Sequence, residues 1–242
     1  MQTGRFLRTA RAVLTVAPLA ALAGGPLLVQ PVGASDAPSA PWHVVGLPGQ
    51  VKPFTRFQVV SLDGQRVLRV EAQASYGNLV HPVLEPHGHL RLTWRWRVDE
   101  AIAEADLRHK EGDDSPVKVC ALFDLPTAAV PFVERQVLRI ARLRSGETLP
   151  AASVCYVWDA RLPPGTVLDN AFTRRIRMIV LRGPESPLHS WQTEQRDVGA
   201  DFLRLFADEA PGAVPLVGIA IAGDADNTQG HSVAHLSSIA LE

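Results

Sequence analysis

Two groups of acidic and amide side chains have the composition of an oxygen-rich binding site. Asp113 and Asp114 come directly before one apolar stretch, and Asp224, Asp226 and Asn227 come directly after another. Both groups therefore lie at strand ends, where β-proteins hold many of their ligands in loops. Because Ca²⁺ prefers oxygen ligands, we predict a structural calcium ion at Asp224, Asp226 and Asn227. The alternative is that these side chains stabilise turns through hydrogen bonds to the backbone.

Arginines form a second group of candidate ligand-binding residues. Arg95 and Arg97 alternate on one predicted strand, Arg177 lies on another, and Arg196 is near the end of a third. A guanidinium group binds a carboxylate through paired hydrogen bonds, so a cleft collecting these side chains would suit an anionic ligand such as a uronate-containing polysaccharide. The alternative is a ladder of ion pairs on the outer surface of a sheet, which contributes little to stability.

The tryptophans could contact a sugar, because indole rings stack on the C–H faces of sugar rings. Trp94 and Trp96 share a predicted strand face with leucine and valine, which predicts that they belong to the core. Trp158, beside Asp159 at the end of a strand, is the better candidate for a ligand contact.

Cys120 and Cys155 are the only cysteines of the chain, and both lie in predicted strands. In an oxidising compartment they could form a disulfide, and two buried free thiols are the alternative. The motifs GxSxG, HExxH and the P-loop are absent from the sequence. A hydrolase would need two carboxylates on either side of a bond, and Asp113 or Asp114 could act with Asp226 if the fold joins the two strand ends.

The elements that must position these residues are mainly strands, because nine segments show a period of two. Asp63-Gly64 between the first two predicts a tight antiparallel hairpin. Helical spacing occurs at residues 132–143 and 199–207, and we expect both helices to cover the sheets. The pattern predicts a mainly β fold, an antiparallel β-sandwich of jelly-roll type with two short helical inserts, as a single domain at residues 41–242. The nine predicted strands are residues 57–61, 65–71, 90–98, 117–123, 154–158, 176–181, 191–198, 216–222 and 233–241.

The N-terminal 34 residues differ from the rest of the chain, because they contain three arginines, no acid and an apolar run at residues 12–29. This pattern, with small residues at 32–34, predicts a signal peptide at residues 1–34 and a periplasmic or secreted protein. An uncleaved anchor is the alternative, and no second apolar run is long enough to span a membrane. Without this segment the chain has 21 basic and 25 acidic residues, which argues against nucleic-acid binding.

Five segments, in their order and spacing, carry a family resemblance that covers nearly the whole predicted domain. The combination of WRWRVD, GDD, YVW and DADNT resembles domain-of-unknown-function family 3047 (DUF3047). The resemblance implies an exported bacterial β-sandwich protein without an assigned activity. Cys120 and Cys155 depart from the residues expected at their positions, which favours a disulfide particular to this protein. The five segments are residues 92–114, 149–168, 174–183, 191–206 and 217–230.

Three functions therefore remain open for this sequence. The first is a non-catalytic binding module of the bacterial cell envelope, whose partner is a glycan or another envelope ligand. The second is a polysaccharide lyase or glycoside hydrolase that acts on an anionic polysaccharide, with the arginines and acids converging on one concave surface. The third is a structural or partner-binding envelope protein. The sequence does not determine the oligomeric state.

Overall fold

The computed structural model describes residues 27–83, 90–145, 149–210 and 212–242, which form thirteen strands, two α-helices and a short 3₁₀ turn at Lys110–Gly112. The strands are β1 (Leu27–Leu28), β2 (His43–Val45), β3 (Arg56–Leu62), β4 (Gln65–Gln73), β5 (Tyr76–Pro82), β6 (Arg91–Glu100), β7 (Ser115–Phe123), β8 (Ala152–Trp158), β9 (Val167–Asp169), β10 (Ile176–Arg182), β11 (Gln192–Asp197), β12 (Leu216–Asp224) and β13 (His231–Leu241). The helices are α1 (Phe132–Ser145) and α2 (Val198–Leu205).

The strands form two sheets that pack face to face. One sheet has six strands in the order β11-β6-β13-β4-β3, with β1 paired to β13, and the other has seven in the order β2-β5-β12-β7-β8-β10-β9. All described pairs are antiparallel except β8 with β10. The predicted β-sandwich is therefore confirmed.

All nine predicted strands are present, and so is the hairpin between β3 and β4. Asp63 and Gly64 have φ angles of 52° and 75°, which a tight two-residue hairpin turn requires at both positions. Four strands were not predicted, and three of these have only two or three residues. The fourth, β5, contains Gly77, Asn78 and Pro82, residues that are rare in strands and hid its pattern.

Aromatic rings from both sheets fill the centre of the sandwich. Trp94 and Trp96 on β6 are fully buried, as predicted. The Trp94 ring centroid lies 5.2 Å from that of Tyr156 on β8, and the Trp96 centroid lies 5.8 Å from that of Trp158. Alternation along β8 then turns Cys155 and Val157 to the opposite face of the seven-stranded sheet.

The two helices pack in different ways. Asp197 caps the start of helix α2, because its carboxylate accepts a hydrogen bond from the Ala200 amide at 2.9 Å. The Phe202 ring of α2 packs on Phe123, as expected for a helix that covers a sheet. Helix α1 is present where it was predicted, but its apolar side does not cover a sheet. Leu138 is buried, whereas Val133 and Val137 are exposed. Helical periodicity located this helix correctly but gave the wrong side as buried.

Most of the predicted signal peptide, residues 1–26, lies outside the described residues, and only residues 27–34 of it are described. Strand β1 pairs with the end of β13, and Val29 beside it is fully buried in the core. The signal peptide at residues 1–34 stays a prediction. Within the described ranges, neither helix combines the length and apolarity needed to cross a bilayer.

Candidate functional site

A cleft of about 500 Å³ lies on the face of the seven-stranded sheet that points away from the six-stranded sheet. Its floor consists of apolar side chains that alternate with core residues along their strands. Loops before β3, before β8, between β9 and β10, and after β12 form its walls. The floor residues are Val80, Cys120, Leu122, Cys155, Ile176, Met178, Ala220 and Ala222.

Asp113, Asp114, Asp224 and Asp226, here called the acidic cluster, lie at one end of this cleft. The chain brings them together because β7 begins beside the point where β12 ends, with Ser115 opposite Asp224. The register shifts between Ala222 and Asp224, and such a bulge redirects the side chain that follows it. Gly112 precedes the cluster at a position where a Cβ atom would lie only 2.8 Å from the Asp106 amide nitrogen, so a side chain does not fit there.

Lys118 is the buried counterion of the acidic cluster. Its Nζ donates to Asp224 Oδ2 at 2.7 Å, and the Ser115 amide donates to Asp224 Oδ1 at 2.8 Å. Both side chains of the pair are almost completely buried. Lys52, which is half-exposed, donates to Asp226 Oδ2 at 2.6 Å from the wall of the cleft.

Asp114 stabilises the loop that follows β12. Its carboxylate accepts hydrogen bonds from the amide of Asn227 at 3.2 Å and from the amide and hydroxyl of Thr228, both at 2.7 Å. The Asn227 side-chain amide also donates to Asp114 Oδ1. The predicted alternative assigned turn stabilisation to Asp224, Asp226 and Asn227, whereas in the structure the carboxylate of Asp114 accepts the hydrogen bonds that hold this loop.

Asp113 and Asp226, which both line the cleft, each have one carboxylate oxygen without a hydrogen-bond partner in the described part of the chain. Asp113 Oδ2 accepts from the Asn170 side chain and Asp226 Oδ2 accepts from Lys52, but Oδ1 of each is buried without a partner among the described residues. A buried carboxylate oxygen without a donor is costly and therefore uncommon. The acidic cluster thus offers two acceptors that a bound molecule could satisfy.

Burial and mutual repulsion change the ionisation of the acidic cluster. Burial, with a smaller contribution from the carboxylates of Asp113 and Asp114, outweighs the attraction of Lys118 and raises the pKa of Asp224 to about 6. Burial also raises the pKa of Asp113. For Lys118, burial lowers the pKa, but the attraction of Asp224 and Asp113 outweighs it and keeps the ammonium charged. Carboxyls with raised pKa values in a cleft are typical of functional sites.

The same cluster is the place where a metal ion would fit best. One oxygen each from Asp114, Asp224 and Asp226 lie within 4.8 Å of one another. However, both Asp224 oxygens already accept hydrogen bonds, and Lys118 and Lys52 already supply positive charge. The Asn227 side chain donates to Asp114 through Nδ2. The donor set is therefore only partly suited to the predicted calcium ion.

The predicted arginines do not line the cleft. Arg95 and Arg97 lie on the outer face of the six-stranded sheet, where Arg95 packs over the Trp191 ring. Arg97 forms ion pairs with Asp99 at 2.6 Å and with Asp63 at 2.9 Å. This arrangement corresponds to the ladder of ion pairs that was the alternative to an anion-binding cleft.

Arg177 and Arg196 are occupied by partners near α2. Arg177 pairs with Asp208 at 2.8 Å and also with Glu209. Arg196 makes two hydrogen bonds to Asp201, at 2.9 and 2.8 Å. The structure therefore brings together the predicted acids and Asn227, and keeps all four predicted arginines away from them.

Trp158 and the two cysteines lie on opposite faces of the seven-stranded sheet. Trp158 is 2% exposed and packs between the sheets, so it is a core residue at the position where a ligand contact was predicted. Cys120 and Cys155 are directly opposite each other on β7 and β8 and form a disulfide with a Cα–Cα distance of 4.0 Å. The disulfide lies in the floor of the cleft.

Sequence reasoning missed the polar residues that complete the site, namely Lys52, Tyr76, Asn78, Lys118 and Asn170. The Asn78 side chain donates to the Tyr76 hydroxyl at 3.0 Å, and burial raises the pKa of Tyr76. One signal was present for Lys118, because it interrupts the apolar run of β7 on the same face as Cys120 and Leu122. The other residues come from three different segments of the chain.

The chain is similar to several solved structures in shape alone. The K2 adhesin domain of Lys-gingipain has 8% identity and a TM-score of 0.39, covering 90% of this chain and 99% of that domain. Endoglucanase 3 of Trichoderma harzianum, from family GH12, has 8% identity and a TM-score of 0.40, with coverages of 84% and 99%. The xyloglucanase domain of NopAA, a type three effector from Sinorhizobium fredii in complex with cellobiose, has 10% identity and a TM-score of 0.41, with coverages of 84% and 98%.

These values are too low to carry information about activity. No curated protein sequence matches the chain. A family model does match, over residues 40–240, and this range includes the cleft and the acidic cluster. As the sequence motifs predicted, the chain belongs to the family of proteins of unknown function DUF3047.

Proposed function

We propose that this protein is a binding protein of the bacterial cell envelope that holds a glycan in the cleft of the seven-stranded sheet. The observation that carries the proposal is the pair of partnerless oxygens, Asp113 Oδ1 and Asp226 Oδ1, at the end of a cleft of about 500 Å³. The hydroxyl groups of a sugar would donate hydrogen bonds to both. The volume is within the usual range for small-molecule sites.

The rest of the cleft suits the C–H faces of sugar rings. Its floor is apolar, and Phe172 on the wall is 57% exposed, so an aromatic ring is available for stacking. Tyr76 and Asn78 add hydrogen-bonding groups near the acids. A partly apolar site with a few directed polar groups is the usual composition of a ligand pocket.

The charges around the acidic cluster favour a neutral or amino sugar over a uronate. Four carboxylates face two ammonium groups, so the acidic end repels an anionic ligand unless several carboxyls are protonated. Of the arginines predicted to bind a uronate, Arg97, Arg177 and Arg196 are paired with acids elsewhere, and Arg95 packs over Trp191. The envelope location rests on the predicted signal peptide.

The test is a glycan array of neutral, amino-sugar and uronate-rich polysaccharides, probed with the purified protein in calcium and in chelator. Asp226→Asn should weaken binding of a neutral glycan about tenfold or more, since the amide leaves one fewer acceptor for the sugar. Asp106→Asn is the matched control, because Asp106 pairs with Arg108 outside the cleft. Equal binding by both variants, or no bound glycan at all, would contradict the proposal.

A glycoside hydrolase is the second candidate, favoured by the raised pKa values of Asp113 and Asp224 at one end of the cleft. One carboxyl kept protonated by burial could act as general acid and a second carboxylate as base or nucleophile. Product analysis of every glycan bound on the array separates the two functions. Shortened chains that disappear with Asp113→Asn would establish the enzyme, whereas binding without products would establish the binding protein.

The predicted calcium ion is tested in the same preparations. If an ion were held by Asp114, Asp224 and Asp226, calcium should raise the melting temperature and a chelator should lower it. Because Lys118 and Lys52 already balance part of the negative charge, we expect a change of less than about 1 °C, corresponding to a few tenths of a kcal/mol. A larger rise that Asp226→Asn abolishes would establish the calcium site.

A further inference from the structure

Helix α1 presents an apolar face to solvent that nothing in the described chain covers. Five large apolar side chains of this one helix are between 51% and 78% exposed. Val133, Val137 and Ile140 follow one another at spacings of four and three residues, so they lie on the same side of the helix. The full set is Phe132, Val133, Val137, Ile140 and Leu143, here called the apolar face. Contiguous apolar surface of this kind marks an interaction site.

The opposite side of α1 is attached to the sandwich, so the orientation of the helix is fixed by specific contacts. Glu134 forms an ion pair with buried Arg175, Leu138 is packed in the core, and Arg142 donates twice to the Leu149 carbonyl at 2.6 and 2.8 Å. These three residues are spaced four apart and form one stripe along the helix. The apolar face therefore points outward because its back is held in place.

The charge of α1 is opposite to that of the rest of the protein. The helix contains four arginines and one glutamate, whereas the whole chain has a formal net charge of −1. Arg139 is exposed beside the apolar face. A helix with an exposed apolar side and an excess of arginine is typical of segments that lie in the surface of an anionic bilayer.

We propose that α1 docks this protein onto an anionic phospholipid surface, with the apolar face inserted among the acyl chains and Arg139 beside it at the headgroups. With 14 residues the helix is about 21 Å long, too short to span a bilayer but long enough to lie in its interface. The Leu149 carbonyl that Arg142 holds belongs to a residue lining the cleft. Docking through α1 would therefore place the ligand site close to the membrane surface.

The experiment is co-sedimentation of the protein, purified after export from a bacterial host, with vesicles of phosphatidylcholine alone or with about one-third phosphatidylglycerol. The native protein should bind the anionic vesicles at least about tenfold more tightly than the neutral ones, and the difference should shrink with added salt. Val133→Glu with Val137→Glu should abolish the binding and leave the melting temperature unchanged, because both side chains are exposed.

The matched control is Val51→Glu with Leu188→Glu, which adds the same charge at two other exposed apolar positions and should retain vesicle binding. Three results would overturn the proposal. The native protein could fail to bind anionic vesicles, the helix variant could bind as well as the control, or the native protein could be a dimer in solution that the helix variant dissociates. The last result would show that a second copy covers the apolar face.

Discussion

Replacing Lys118 with methionine tests whether the acidic cluster is a coupled set of buried charges. Methionine fills nearly the same volume and removes only the ammonium group. Lys118 Nζ lies 2.7 Å from Asp224 Oδ2, and both residues are buried. Removing one partner of a buried ion pair costs about 3–5 kcal/mol, because the remaining charge is left without compensation. We therefore expect Lys118→Met to lower the free energy of unfolding by about 4 kcal/mol at pH 8.

The loss should be smaller in acid, and the pKa of Asp224 sets the range. Burial raises this pKa from its ordinary 3.8 to about 6 in the folded protein. Because the pKa is raised in the folded protein, protonation of Asp224 contributes to the free energy of unfolding. This contribution is fully present below about pH 4 and is lost as the pH rises through about 6. Without the lysine the pKa rises further, so Asp224 is protonated at pH 5 and the loss should fall to about 2 kcal/mol or less.

The measurement is urea unfolding at pH 8 and pH 5, followed by tryptophan fluorescence. With a slope of about 3 kcal/mol per molar urea, the expected loss at pH 8 lowers the midpoint by more than about 1 M. Lys52→Met is the control, because its ammonium also pairs with an acid of the cluster but is half-exposed, and it should cost at most about 1 kcal/mol.

A second variant keeps the result interpretable. Lys118→Met combined with Asp224→Asn removes both charges, so it should be more stable at pH 8 than Lys118→Met alone and lose most of the pH dependence. If Lys118→Met costs the same at both pH values, or less than about 1 kcal/mol at pH 8, the acids are not coupled through this lysine. The raised pKa values could then not support a role of the cluster in ligand binding or catalysis.

Three further predictions concern the frame of the cleft. A chain that begins at Ser35 should be about 2–3 kcal/mol less stable than one that begins at Gly24, because it lacks β1 and the buried Val29. Equal urea midpoints for the two chains would show that this segment adds nothing to stability. Replacing Cys120 and Cys155 by alanine should cost about 3–4 kcal/mol, since the disulfide closes a loop of 35 residues, and unchanged stability in reductant would argue against the bridge. Trp158→Ala should lower the free energy of unfolding by about 3–5 kcal/mol, because it leaves a cavity in the core. If the variant still binds glycan with unchanged affinity at low temperature, Trp158 is a core residue and not a ligand contact.

The sequence was sufficient for nine of the thirteen described strands, because a sandwich imposes a simple alternation on them. Along β6, Trp94 and Trp96 alternate with Arg95 and Arg97, so the buried and solvated faces can be told apart from residue type alone. The same logic failed for α1, where the apolar side is the exposed one. A hydrophobic pattern shows which side of a helix avoids water, but not whether the chain itself supplies the cover.

The site was only partly predictable, because its parts meet through strand order and not through spacing. Asp113 and Asp226 were recognised as acids at strand ends, but their contact depends on β7 pairing with β12. Trp158 was predicted to contact a ligand because both faces of β8 are apolar, so the alternation does not show which face packs against the other sheet. Tyr76 and Asn170 lie on strands or loops whose position relative to the acids no local pattern specifies.

The outer faces of the two sheets differ, which is consistent with a proposed ligand site on the seven-stranded sheet. The outer face of the six-stranded sheet is charged, and its ion pairs, such as Arg97 with Asp99, are satisfied within the protein. The outer face of the seven-stranded sheet is apolar, and Cys120, Met178 and Ala220 on it are already buried. The floor residues Val80, Leu122 and Ile176 are only partly buried, so covering them further is favourable. A bound molecule that stacks on this floor and donates to Asp113 and Asp226 would satisfy both the apolar surface and the partnerless oxygens.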